Sequence, residues 1–340
     1  MKPSGSKMRL FLHIGPAKTA STFIQQVCSL NSERLLEQGV FYPTENCQKM
    51  YTGGFNCNDT AIKLIDGQVD QSIDAITSFA EKARSAGCGS LLISAEGFSP
   101  ALLSSRRDSS KFIKQLSKDF DVEVLFFYRN FLDTVNSHFS QVIKSVSKWR
   151  LYNEVYKISR NLYFKRKDGI LKIANKNKDI KISILLFYKE MSPFEHICRA
   201  LGVDSSGFEY PDRKSNARPH AATIALGYLA GQQAIPFRPH QMNALEEYLR
   251  ARRFLDPKLT IVPAKDVPRI IEEQRDDLER LSGSPNIEII GSLPDWWEET
   301  LVAHKNCVPF ENYLSRISRI GGAPAPFNSV TGPAAETATA

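Results

Sequence analysis

Four short runs of uninterrupted apolar residues constrain this chain more than anything else in it: RLFLHI at 9–14, SLLISAE at 90–96, VEVLFFY at 122–128 and ISILLF at 182–187. A strand with one wet face alternates apolar and polar residues, so continuous runs belong to strands covered on both faces, which is how parallel sheets read. Helical spacing lies between them: Phe23, Val27 and Leu30 after the first run, Ile73, Ile76, Ala80 and Ala83 before the second, and Phe112, Ile113 and Leu116 before the third. Alternating strand and helix predicts an α/β fold of three layers around a central parallel sheet, with a ligand at the carboxyl ends of the strands.

After the third run, Leu132, Val135, Phe139, Val142, Ile143 and Val146 repeat at helical spacing, leaving Asp133, Ser137, Ser140, Gln141 and Lys144 as a polar stripe. From about residue 220 the pattern is helical again, in AATIALGYLAG, HQMNALEEYLRARRF and PRIIEEQRDDLERL, joined by Pro-containing links. These predict a helical C-terminal layer on one domain spanning 8–317. Residues 318–340 are small, Pro/Gly/Thr-rich and almost uncharged, the composition of a disordered tail. At 340 residues and 42% hydrophobic content the chain can build a sizeable core.

A net charge of +7 favours an anionic ligand without naming one. The six cysteines form no CxxC pair and have no histidine at metal-ligand spacing, so free thiols are expected. The apolar stretch near the N-terminus is too short for a signal peptide, and no window approaches the length of a membrane span. A soluble cytoplasmic protein without a transmembrane segment is the expectation.

The first run ends in HIGPAKTAST, residues 13–22. A strand that breaks at glycine and restarts as a Ser/Thr-rich helix leaves backbone N–H groups converging on one spot, which favours an anion. The loop is not a Walker A sequence, because only Pro16 and Ala17 separate Gly15 from Lys18. It closely resembles the 5′-phosphosulfate loop of sulfotransferases that use 3′-phosphoadenosine 5′-phosphosulfate (PAPS), Gly-x-x-Lys-Thr-Gly-Ser/Thr-Thr. Gly15, Lys18, Thr19, Ser21 and Thr22 fall on that pattern, and Ala20 stands where the family commonly has glycine. Alanine there costs about 1 kcal/mol if the position needs a positive φ, and nothing in ordinary helical geometry.

A second motif lies in VLFFYRNFLDTVNSHF. Arg129 ends a strand and Ser137 follows eight residues later on the next helix, so an arginine fork and a hydroxyl can meet one phosphate. The same family places an Arg and a Ser at this spacing for the 3′-phosphate of its nucleotide, and LLEQGVFYP is similar to a Gly-x-x-Tyr-Pro phrase of its bacterial members. The resemblance covers residues 8 to 220. It implies the P-loop-like sulfotransferase fold, PAPS as donor, adenosine 3′,5′-bisphosphate as product, and a hydroxyl of a carbohydrate or other small molecule as acceptor.

Sulfonate transfer builds charge on the bridging oxygen as the nucleotide leaves. Lys18 is the candidate to meet it, with Gly15, Thr19, Ala20, Ser21 and Thr22 around the 5′-phosphate. Glu96, ending the second run, is the candidate base, and His13 is the other. No carboxylate pattern suggests a metal, and none is expected. DRKSNARP at 212–219 offers Arg213, Lys214 and Arg218 near the nucleotide or as a solvated loop, and Trp296 and Trp297 fit a core or a sugar platform. Two other classes stay open: a P-loop kinase using ATP and Mg²⁺, disfavoured by the loop spacing, and a basic nucleic-acid-binding module, disfavoured by the lack of an aromatic RNA motif or zinc knuckle. No nucleic-acid partner is expected, and the oligomeric state is unreadable.

Overall fold

A computed structural model describes residues 7–16, 19–45, 47–50, 54–103, 109–144, 152–188, 192–211, 219–232, 239–252 and 256–320. All four apolar runs are strands of one sheet, numbered here with its two edge strands as β1 (Met8–His13), β2 (Val40–Phe41), β3 (Ser90–Ser94), β4 (Phe120–Arg129), β5 (Lys181–Phe187) and β6 (Ile287–Ile290). The order is β2-β3-β1-β4-β5-β6, and every pairing is parallel. The chain runs one way from β1 to reach β3 and the other way to reach β4. Their carboxyl ends flank the end of β1, where open α/β sheets form a ligand crevice.

Alternation along each strand divides the core in two. Leu10, Leu12, Leu91, Ile93, Val122 and Val124 face one side with Ile76, Ala80, Phe112 and Leu116 of two helices, Val69–Ser85 and Ser109–Asp119. Phe11, Leu92, Leu125 and Phe127 face the other side, against Ile24 and Val27 of α1 (Ser21–Leu30). A further cluster covers α2 (Phe131–Lys144): its Phe131, Leu132, Val135 and Phe139 pack with Tyr156 and Tyr163 of α3 (Tyr152–Lys176) and with Tyr228 and Phe310 from the C-terminal part. Each of these large apolar side chains stabilises the fold by about 1.5–3 kcal/mol on burial.

The structure departs from the sequence reading at several elements. Ser140 does not belong to an exposed stripe: it is buried, and its hydroxyl donates to the Asn136 carbonyl at 2.9 Å. Leu30, placed on the buried face, is 53% exposed at the end of α1. The C-terminal part is not only a helical layer. Its helices Ala221–Gln232, Pro239–Ala251 and α4 (Val267–Ser282) are present, but β6 joins the main sheet beside β5, and Leu259–Thr260 pairs with Val308–Pro309. The last helix, Phe310–Ile320, runs into the segment expected to be tail, and residues 321–340 lie outside the described residues. All six cysteines are free thiols. No helix among the described residues is long and apolar enough to cross a membrane.

Candidate functional site

The loop after β1 is built by tight backbone constraints. Ile14 still donates to the Leu125 carbonyl at 3.1 Å, and then Gly15 turns the chain. A Cβ on Gly15 would collide with Ser21 Oγ and sit 2.9 Å from His13 Nε2, so any larger residue there requires those two buried side chains to shift. Thr19 Oγ1 donates to the Pro16 carbonyl at 2.7 Å, closing the loop on itself. Ala20 then takes φ 59° and ψ 23° at the N-cap of α1, the one non-glycine positive φ among the described residues. No side chain caps the helix there, so the first-turn N–H groups, including those of Ser21 and Thr22, keep their capacity for an anion. Lys18, with Ala17, lies outside the described residues.

Beneath the loop sits a small buried polar cluster. His13 Nδ1 is 2.7 Å from Ser94 Oγ, which also accepts from Gln25 Nε2 at 3.2 Å, and Phe127 meets the imidazole edge-on at 5.6 Å. Burial pushes the His13 imidazole down to about 4, so it is neutral near physiological pH. His13 Nε2 and Ser21 Oγ are both buried without a hydrogen-bond partner among the described residues, and both border Gly15.

Arg129 ends β4, the strand beside β1. Its carbonyl accepts from Tyr163 Oη at 2.6 Å, and its guanidinium lies over the Phe187 ring, 4.9 Å from the centroid. Burial lowers the Arg129 pKa, against the pull of Asp133 and then Glu299. Asp133 stays below the usual carboxylate range because Arg129 and Lys258 overcome the effect of burial, and it accepts from Asn130 Nδ2 at 2.9 Å. Pro16 and Thr19 of the loop share one cavity with Arg129, Thr134, Arg166 and Lys167, about 20 Å³ in volume. The loop and the strand-end arginine therefore face the same recess. Ser137 is half-buried further along α2 and does not line it.

Neither family models nor curated proteins match this chain.

Glu96 is half-buried just past the end of β3, and its charge opposes the fall that burial imposes on Arg166. Arg166 thus links the second strand end to the recess, a residue that sequence reasoning missed along with Lys167. Both sit in FKRKDG on α3, which reads as a solvated charge run, although Tyr163 and Phe164 one turn earlier were a signal of burial. Lys167 is buried, donates to Tyr128 Oη at 2.6 Å, lies 3.6 Å from the Tyr163 ring centroid and pairs with Asp277 at 3.2 Å. Burial pushes its pKa down, and Asp277 pulls the other way. Of the remaining candidates, Trp296 is fully buried 5.4 Å from the Tyr128 ring, a core residue, and Trp297 is packed beside it. Arg213, Lys214 and Arg218 lie outside the described residues.

Proposed function

We propose that the chain transfers a sulfonate group from PAPS to a hydroxyl of a carbohydrate or other small acceptor, through the sulfotransferase fold that its motifs resemble. One observation carries the reading: Thr19 of the loop and Arg129 of the neighbouring strand line a single recess. A nucleotide phosphorylated at both 3′ and 5′ positions needs two anion grips on one sheet edge, and ATP has no 3′-phosphate to occupy the second.

In this reading the uncapped N–H groups of Ser21 and Thr22 hold the 5′-phosphate, Thr19 keeps the loop closed through its bond to Pro16, and Ala20 sets the angle at which α1 meets the phosphate. The recess of about 20 Å³ is water-sized, so what it supports is that the loop and the strand-end arginine adjoin, and the nucleotide itself would lie outside it. Arg129, its backbone held by Tyr163, forks onto the 3′-phosphate with Ser137 to the side. Glu96 takes the acceptor proton as the acceptor oxygen bonds to sulfur, and Lys18 meets the bridging oxygen as the S–O bond breaks and adenosine 3′,5′-bisphosphate leaves. His13, neutral and buried, supports the loop from below.

Calorimetric titration with adenosine 3′,5′-bisphosphate and with AMP tests the proposal. The bisphosphate is expected to bind at least about tenfold tighter, because one charge-assisted contact contributes more than ~1.5 kcal/mol. Arg129→Ala should erase the difference, and Lys18→Ala should weaken binding of both. Equal affinity for the two nucleotides in the unaltered protein refutes the reading, and Mg²⁺-dependent ATP turnover would replace it with a kinase.

A further inference from the structure

Away from the nucleotide recess, two thiols meet on a hairpin. Gln48 pairs antiparallel with Asn56 and Lys49 with Phe55, and extending that register by one residue sets Cys47 opposite Cys57. Their sulfur atoms are 3.4 Å apart, in hydrogen-bond contact. Directly opposed residues of an antiparallel pair have Cα atoms about 4.5–5.5 Å apart, inside the ~4.4–6.8 Å that a disulfide accepts. Bringing the sulfurs from 3.4 Å to the ~2.05 Å of a covalent bond therefore asks for a movement within the reach of side-chain rotation.

The geometry points to a reversible disulfide between Cys47 and Cys57, a redox-modification site on the hairpin that abuts the end of β3. A peroxide is the oxidant. The Cys47 thiolate attacks one peroxide oxygen, the O–O bond breaks and hydroxide leaves, giving a sulfenic acid; the Cys57 sulfur then attacks Cys47 sulfur and expels the sulfenic oxygen as water. Two thiols together lose two electrons and two protons, and one hydrogen peroxide becomes two waters.

The two positions differ in the way such a pair requires. Cys57 is buried, whereas Cys47 is half-buried and reachable. The hydrogen bond from Cys57 holds the Cys47 thiol below its ordinary value, helped by Lys82 and opposed by burial and Asp59. That same bond, together with burial, raises Cys57. The hairpin is tied to the sheet where the candidate site begins: the Cys57 N–H donates to the Ser94 carbonyl at 3.0 Å, Ser94 Oγ holds His13, and Asn58 Oδ1 accepts from the Gly97 N–H at 3.3 Å, next to Glu96. The inference stands on the thiol geometry and is independent of the sulfotransferase reading.

The test uses the full chain, reduced, exposed to hydrogen peroxide, quenched and then alkylated with N-ethylmaleimide under denaturing conditions. Of the six cysteines, four are expected to carry the adduct, a non-reducing peptide map should link Cys47 to Cys57, and dithiothreitol should restore six adducts. Cys47→Ala and Cys47→Ser should each abolish the link, and in Cys57→Ser the sulfenic acid of Cys47 should be trapped by dimedone. Six adducts after peroxide overturn the inference. So does a link between the neighbouring core residues Cys28 and Cys198, or loss of two adducts that persists in Cys47→Ala.

Discussion

Ala20 holds a left-handed conformation that glycine adopts freely and that costs a residue with a Cβ about 1 kcal/mol or more. Ala20→Gly should raise the unfolding free energy by about 1 kcal/mol, and Ala20→Val should lower it, since a β-branched residue tolerates positive φ least; urea titration measures both. The identity of the departure from the glycine pattern was legible in the sequence, but its φ was not, because that angle depends on how the Thr19–Pro16 bond closes the loop before α1 starts. Glu96 belongs to the same scale. Glu96→Gln should lower kcat by about 10²–10⁴-fold with PAPS and a competent acceptor, while adenosine 3′,5′-bisphosphate binds as before; a fall in nucleotide affinity instead would remove Glu96 from the role of base.

The long helix α3 ties the recess to α4, and its interior pair is the place where elements depend on each other. Lys167→Met takes away the buried partner of Asp277 and leaves it only the exposed Arg280 at 3.7 Å, so it should destabilise the protein by about 3 kcal/mol at most, whereas Lys167→Met with Asp277→Leu should recover much of that loss. Tyr163→Phe removes the hydroxyl that donates to the Arg129 carbonyl and accepts from Gln274 Nε2 at 3.1 Å; it should cost about 1–3 kcal/mol in a denaturant titration. Little of this network is legible in the sequence: Tyr163 and Phe164 hint at a buried face, but Arg166, Lys167 and Asp168 form a charge run whose burial depends on tertiary packing. The four central strands were legible, because cover on both faces makes them continuously apolar. The edge strands were not: β2 is two residues long and β6 is half-buried, so neither writes a pattern distinct from a loop.

At the scale of the whole molecule, two buried histidines weaken the fold toward acid. Burial pushes both His13 and His196 down to about 4 from 6.5, with Arg199 adding to the effect at His196. The unfolded chain takes up these protons near 6.5 and the folded chain only near 4, so their stabilisation is complete above 6.5 and lost as the pH falls through that window. For His13 the loss is about 2 kcal/mol by pH 5. Urea unfolding at pH 7.5 and 5 should show it, and His13→Asn should flatten part of the slope. The strand order has a consequence during synthesis. The outer edge of β5 finds its partner only in β6, about a hundred residues later in the chain, so a ribosome adding about 5–20 residues per second leaves that edge bare for some 5–20 s. A fragment ending at residue 219 would keep the glycine loop, Glu96 and the Arg129–Ser137 motif and never cover the edge; it should collect in inclusion bodies, the outcome expected of a sheet left open to its neighbours.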